Sequence, residues 1–271
     1  MTACLINNLR KLIMKKVFVT ALLACFLMPA SGFSQIVDWE SSEGIKRLSQ
    51  ADVKQDFFAL APQFEGQSNK VYCGVASATI VLNALRLHEN KPIQPDTSSI
   101  ATGDRAWFPK KNGWLPFWNR YTQNSVVAYS SKPRIEIFGK PEAAGAQSDY
   151  GLHLEDERRL LTNAGLRVNA VAVDDIGQQD KMKNEIIAAL KQPDSFVIVN
   201  FLRSAIGQKG DGHFSPLGAY DAKSDSFLMM DVSNTQHPWV WVDSQTLFEG
   251  MHTLDGSQYR GYLTVAESEK L

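Results

Sequence analysis

Ser195-Phe196-Val197-Ile198-Val199-Asn200-Phe201-Leu202 is a β-branched and aromatic run bounded by turn residues, and four more runs of the same kind follow it. They cover residues 214–220, 226–232, 239–242 and 262–265, with segments rich in Gly, Asp, Ser and Asn between them. Upstream the texture is helical. Cys73-Gly74-Val75-Ala76-Ser77-Ala78-Thr79-Ile80-Val81-Leu82-Asn83-Ala84-Leu85 combines small and aliphatic residues, which predicts a buried helix with Cys73 at its N-terminal end, stopped before Pro92. Residues 154–164 are charged on one face and apolar on the other, an amphipathic helix ending at Gly165; residues 166–173 alternate as a strand and 184–191 read as helix. Helices first and antiparallel strands afterwards, without a regular βαβ alternation, define an α+β fold.

The composition agrees with a folded domain: 271 residues, 44% apolar and 21% charged, with a formal charge of −1. No broad basic field is available to grip nucleic acid or an anionic membrane. Lys15 and Lys16 precede an apolar stretch of about a dozen residues and then Ala30-Ser31-Gly32, the pattern of a secretory signal peptide, too short to span a bilayer. The expected division is therefore a leader over residues 1–32 and one catalytic domain over 33–271, exported to the periplasm. Leu22-Leu23-Ala24-Cys25 is an alternative processing site that would leave Cys25 lipidated and the protein anchored.

Removing that leader takes away four cations and no acids, so the formal charge moves from −1 to −5. It also removes Cys4 and Cys25 and leaves Cys73 as a lone thiol in an oxidising compartment, which suggests a use for it. The plain alternative is a small buried hydrophobe. At a helix N-terminus Cys73 would feel the positive end of the dipole and nearby N–H donors, both of which favour thiolate. A thiol nucleophile also needs a base, and a histidine held by a third group is the usual partner.

Of the five histidines, His213 stands out. It opens a strand after Gly210-Asp211-Gly212, and Asp231 closes the next apolar strand eighteen residues later. Two adjacent antiparallel strands joined by a turn near Ser224-Asp225 would bring Asp231 back beside His213. Taken alone, either is an ordinary surface histidine or strand-end aspartate. Joined to a lone cysteine on a helix start, they match the two-lobed arrangement of papain-type enzymes, a helical lobe carrying the nucleophile helix followed by an antiparallel sheet lobe.

Gln67-Ser68-Asn69-Lys70-Val71-Tyr72-Cys73-Gly74-Val75-Ala76-Ser77, followed by Val81-Leu82-Asn83-Ala84-Leu85, resembles the nucleophile segment of the phytochelatin synthase family. Gly212-His213-Phe214-Ser215-Pro216-Leu217-Gly218-Ala219-Tyr220 and Met230-Asp231-Val232 resemble the same family's His and Asp segments. Weaker likenesses are Tyr121-Thr122-Gln123-Asn124, Asn200-Phe201-Leu202-Arg203 and residues 255–261. The resemblance runs from about residue 63 to 265.

That resemblance implies a papain-like fold that uses glutathione as acyl donor. It casts Cys73 as nucleophile, His213 as acid/base, Asp231 as its orienter and Gln67 as side-chain donor to the oxyanion. Asp255 and Arg260 match the family's Asp and Arg for the γ-glutamyl amine and carboxylate, with Gly212 and Tyr121 as further substrate contacts. The acyl group has two exits: a second glutathione, giving a phytochelatin, or water, giving γ-glutamylcysteine. Where related sequences carry a basic and aromatic run after the aspartate, this chain has Ser233-Asn234-Thr235-Gln236-His237, which shifts weight toward water. No fixed metal cofactor is expected, because His237 and His252 lack nearby ligands; cadmium or zinc would arrive as glutathione thiolates. Two other readings are an exported cysteine peptidase and a non-enzymatic thiol or metal-binding protein. The oligomeric state, a homodimer included, stays open. Trp107, Trp114 and Trp118 are expected as core or loop anchors, and Trp239 and Trp241 as a strand pair with one ring inward.

Overall fold

Among the described residues seven strands, every neighbouring pair antiparallel, form the backbone of this α+β chain in a computed structural model. The structure describes residues 36–89, 93–111, 114–139 and 149–268. The expected leader, residues 1–32, and its alternative processing site at Cys25 lie outside the described residues. The strands are β1 Val37–Asp38, β2 Leu166–Ala172, β3 Ser195–Leu202, β4 Gly212–Asp221, β5 Ser226–Met229, β6 Val240–Asp243 and β9 Gly261–Glu267, with a separate ribbon of β7 Leu254–Asp255 and β8 Gln258–Tyr259; across the sheet the order is β1-β6-β5-β4-β3-β9-β2. The helices named below are α1 Ser42–Gln50, α2 Gln55–Leu60, α3 Cys73–Arg86, α4 Leu154–Asn163, α5 Gln179–Lys191 and α6 Ser244–Met251. Among the described residues no helix is long and apolar enough to cross a membrane.

The period-2 pattern of β3 explains how both faces of the sheet are covered. Phe196 and Ile198 face a core built with α3 and α4, while Val197, Val199 and Phe201 face a second core shared with α5 and α6. A strand buried on both faces reads as a continuous apolar run, as this one does. The fold thus places helices on each side of the antiparallel sheet within one compact unit that begins at Ile36.

α3 is the buried helix that the small and aliphatic residues predict. Thirteen of its fourteen residues are buried, and the two hydroxyls inside it are satisfied locally: Ser77 donates to the Cys73 carbonyl and Thr79 to the Val75 carbonyl. α4 spans Leu154–Asn163 and is followed by Gly165 with φ +86°, a left-handed position that glycine takes without strain. α5 begins at Gln179, five residues before the expected start.

The tryptophans divide by environment. Trp241 is fully buried in β6 and donates its indole N–H to the Gly44 carbonyl, whereas Trp239 lies one residue before that strand and packs against Trp39 and Phe64. Trp107 and Trp118 are 88% and 86% exposed and Trp114 is 52% exposed, so these three are not core anchors. They lie in a segment with little regular structure, where loop backbone runs over the surface and no element among the described residues covers the rings.

Asp56 in α2 is buried with Oδ2 unpartnered, and burial pushes its carboxyl up to about 8. Its folded pKa lies above the unfolded value, so its contribution is fully favourable below about pH 4 and is lost as pH rises through about 8. The thermal midpoint is expected to fall between pH 5 and pH 9, and Asp56→Asn should reduce that fall by on the order of 2 kcal/mol, about 5 °C in a thermal melt. Parallel wild-type and variant melts over this range would contradict it.

Candidate active site

Cys73 is the first residue of α3, and α3 packs against β4. The contact brings the thiol to the strand that begins Gly212-His213-Phe214, where the Phe214 and Gly74 backbone N–H groups favour the ionised sulfur. Cys73 is buried and free of disulfide. Burial pushes its thiol up to about 11, and the Glu157 carboxylate, once ionised, adds to that; the Phe214 and Gly74 N–H groups and the Arg203 charge act in the opposite direction. The helix-terminus argument predicts a thiol tilted toward thiolate. The structure reverses this, because desolvation of the charged form outweighs the donors at the terminus.

His213 comes from β4, and Asp231 follows β5, the strand paired with β4. The hairpin brings them together as its eighteen-residue spacing implies. His213 Nε2 lies 2.9 Å from Asp231 Oδ1; an ionised carboxylate only accepts, so Nε2–H is the donor and Nδ1 carries the ring's basic lone pair. Burial lowers the His213 pKa, opposed by the Asp231 hydrogen bond and charge and reinforced by Arg203 and His237. Asp231 is fully buried, which by itself would raise its pKa. The hydrogen bonds and charges of His213 and Arg203 together overcome that and hold the carboxyl well below the usual range.

Arg203 completes this group, and the sequence offered it only as one letter of a motif. It follows β3 and forks onto the same carboxylate, Nη1 to Oδ2 at 2.7 Å and Nη2 to Oδ1 at 2.9 Å. Arg203 is 4% exposed and Asp231 0%, so this is a buried bidentate pair. The Ser233 backbone N–H adds a third donor at 2.8 Å. Asp231 therefore stays ionised and fixed, and His213 keeps one orientation.

Gln67 lies on the approach to α3. Its backbone N–H bonds the Val232 carbonyl at 2.7 Å, which ties it to the residue after Asp231, and its side-chain amide donates to the Asn69 carbonyl at 2.8 Å. Asp255 and Arg260 are paired at 3.0 Å, and Arg260 presses on Gly212: a Cβ there would stand 2.6 Å from Nη2. The guanidinium thus packs into the space that a side chain at position 212 would take, which places the Asp255–Arg260 pair beside the residue that precedes His213. His153, which sequence reasoning left unassigned, contacts Asp255 at 3.1 Å and Asp149 at 2.9 Å. The Asp255 carboxylate beside it raises its pKa against the effect of burial.

Tyr121 does not join this group. Its hydroxyl accepts from Arg86, and its backbone is clamped by Asn83, which both accepts from the Tyr121 N–H and donates to its carbonyl. Asn83 lies ten residues along α3 from Cys73, about 15 Å. Tyr121 is a strut for the far end of the helix. Among the described residues no group of three or more His, Cys, Asp and Glu side chains is placed to hold a metal ion.

The family model for phytochelatin synthase matches residues 30–262. The chain belongs to the phytochelatin synthase family. Similar curated proteins include glutathione γ-glutamylcysteinyltransferase 3 of Lotus japonicus, 28% identical over 243 residues, which are 86% of this chain and 43% of that protein. The glutathione γ-glutamylcysteinyltransferase of Schizosaccharomyces pombe is 26% identical over 84% of this chain and 48% of its own. That of Triticum aestivum, numbered 1, is 27% identical over 85% of this chain and 40% of its own. The chain thus spans less than half the length of these family relatives, and the papain-like α+β fold fits the family.

Proposed function

We propose that the chain cleaves the Cys–Gly amide of glutathione through an acyl-enzyme on Cys73, releasing glycine and passing the γ-glutamylcysteinyl group to a second glutathione or to water. The observation that carries this reading is the convergence of the Cys73 thiol, the Phe214 N–H and the His213–Asp231–Arg203 group at one helix end, in a chain of the phytochelatin synthase family. The γ-glutamylcysteinyl transfer for which the relatives are named comes to this chain as part of the proposal.

Thiol and imidazole both rest neutral, the first because burial raises its pKa and the second because burial lowers it. The thiol proton therefore passes to Nδ1 of His213 as sulfur attacks the amide carbon, and Asp231 balances the imidazolium that forms. The tetrahedral oxyanion takes the Cys73 backbone N–H and the Gln67 amide as donors. Protonation of the leaving nitrogen by His213 releases glycine and leaves a thioester on Cys73. An amine or a water, deprotonated by the same Nδ1, then frees the thiol. The Asp255–Arg260 pair beside Gly212 takes the amino-acid end of the γ-glutamyl group, carboxylate to ammonium and guanidinium to carboxylate.

The fate of the acyl group depends on what holds the acceptor. A groove of about 530 Å³ runs along the segment after Asp231, lined by Trp39, Phe64, Asn234, His237 and Trp239 among others. Residues 233–237 supply no lysine or arginine to an acidic second glutathione, which favours water. Cadmium and zinc enter as thiolates of the substrate, in keeping with the preference of soft cations for sulfur. The leader reading places this chemistry in the periplasm.

The test is mass spectrometry of products from glutathione incubated with the purified chain, with and without cadmium. Glycine with γ-glutamylcysteine identifies the hydrolytic exit, and chain-lengthened γ-glutamylcysteine polymers identify transfer. Intact glutathione under both conditions, with turnover of other peptides, would replace this reading with a peptidase.

A further inference from the structure

The buried face of α4 carries Leu154, Leu160 and Leu161, and the remaining position on that face is filled by an acid, Glu157. Its neighbours on the helix are occupied elsewhere: Glu155 pairs with Arg158 and Arg159, and Asp156 accepts from the His153 backbone N–H. Glu157 is fully buried, and it is the only acidic side chain among the described residues with both oxygens buried and without a hydrogen-bond partner. The carboxyl lies against the first turn of α3. A Cβ on Gly74 would stand 2.5 Å from Glu157 Oε2 and 3.2 Å from its Cδ, so the missing side chain next to Cys73 makes the space the carboxyl occupies.

We infer that Glu157 is a positioning residue for the nucleophile, a proton-holding carboxyl that sets the pH window in which the Cys73 thiol ionises. The inference rests on the reading of Cys73 as the nucleophile. An unpartnered carboxylate in an apolar site costs more than any donor there returns, so the group is held as the neutral acid through neutral pH. Burial, assisted by Asp156, pushes it up to about 8. Below that pH it places no charge beside the thiol. Above it, a second negative charge appears next to the sulfur and opposes thiolate formation.

Charged and titratable groups stand on each of the surrounding elements. On α3, Arg86 is committed to Glu267 of β9 and to Tyr121. On β9, the Tyr262 hydroxyl bonds Glu185. β2 contributes Arg167, the turn before α4 contributes His153, and the helical turn at residues 127–129 contributes Tyr129. Arg203 and His213 act from the other side of Cys73. Asp156 is the charge that acts on Glu157, and Glu157 acts on Cys73.

The experiment is the iodoacetamide alkylation rate of Cys73 in the full chain from pH 6 to 10, followed on the Cys73 peptide by mass spectrometry, for wild type and Glu157→Gln. The amide mimics the protonated acid at every pH. The two proteins are expected to agree within about twofold at pH 6.5, and the variant should be about five- to tenfold faster at pH 9.5, with the wild-type curve bending near pH 8 and the variant's continuing straight. Glu157→Leu, which completes the apolar face, should give the same profile with a higher thermal midpoint at pH 8. A folded Glu157→Gln or Glu157→Leu chain whose profile superposes on wild type would overturn the inference. Glutathione turnover measured on the same samples separates the two ideas: a shifted profile with intact glutathione keeps Glu157 as the control on the thiol and removes the acyl-transfer reading.

Discussion

Cys73→Ser is expected to abolish glycine release from glutathione, a loss of about 10⁴-fold or more against the wild-type chain. The size follows from the site. A serine hydroxyl in the same place has the same surroundings but an intrinsic pKa several units above that of a thiol, and burial raises it further. His213, itself held neutral by burial, then lacks the driving force to take the proton. The substitution is nearly isosteric, so the thermal midpoint should move by only a few degrees, which separates loss of chemistry from loss of fold. Glycine release by a folded Cys73→Ser chain at more than about one-hundredth of the wild-type rate would remove Cys73 from the mechanism.

Arg203→Met has the second large effect, and it falls on stability as well as activity. The substitution leaves Asp231, fully buried, with His213 and the Ser233 N–H as its remaining partners. Removing one member of a buried ion pair typically costs about 3–5 kcal/mol, because the other charge stays desolvated and unbalanced. For a domain of this size that corresponds to a drop of about 10 °C in the thermal midpoint. The Asp231 carboxyl should rise, draw a proton and lose its hold on the imidazole, so glycine release should fall by at least about 100-fold. Arg203→Met with Asp231→Leu should recover part of the stability and none of the activity, since both charges are then gone while His213 has no orienter. A melt of Arg203→Met within 2 °C of wild type would show that the pair contributes little.

Much of the candidate site was legible before any coordinates. Cys73 at the head of a small-residue helix, and His213 and Asp231 at the ends of two adjacent strands, follow from periodicity and turn chemistry, which act over a dozen or two residues. Their partners were not legible. Arg203 reaches Asp231 across 28 positions, and nothing in its own neighbourhood marks it as the anion's second anchor. Glu157 left a local trace, an acid on the apolar stripe of an amphipathic helix, but its meaning depends on Gly74 lying opposite. Tyr121 failed in the other direction: a motif likeness placed it with substrate, and its contacts with Arg86 and Asn83 assign it to the far end of α3.

The sequence by itself determined the α+β class, six of the seven strands of the sheet, the buried helix with its terminal thiol and the His–Asp hairpin, because side-chain period, β-branching and turn residues are properties of short windows; the two-residue β1 is too short to show a period. Tertiary structure alone decided that β9 lies between β3 and β2, that Trp107 and Trp118 stand in solvent, and that Cys73 rests as a thiol rather than a thiolate. These outcomes depend on desolvation and on charges that approach through space. A charge state in a folded chain is set by what surrounds the group, and for Cys73 those surroundings come from β4, the turn after β3 and α4, all distant in sequence and adjacent only once the sheet has closed on the helix.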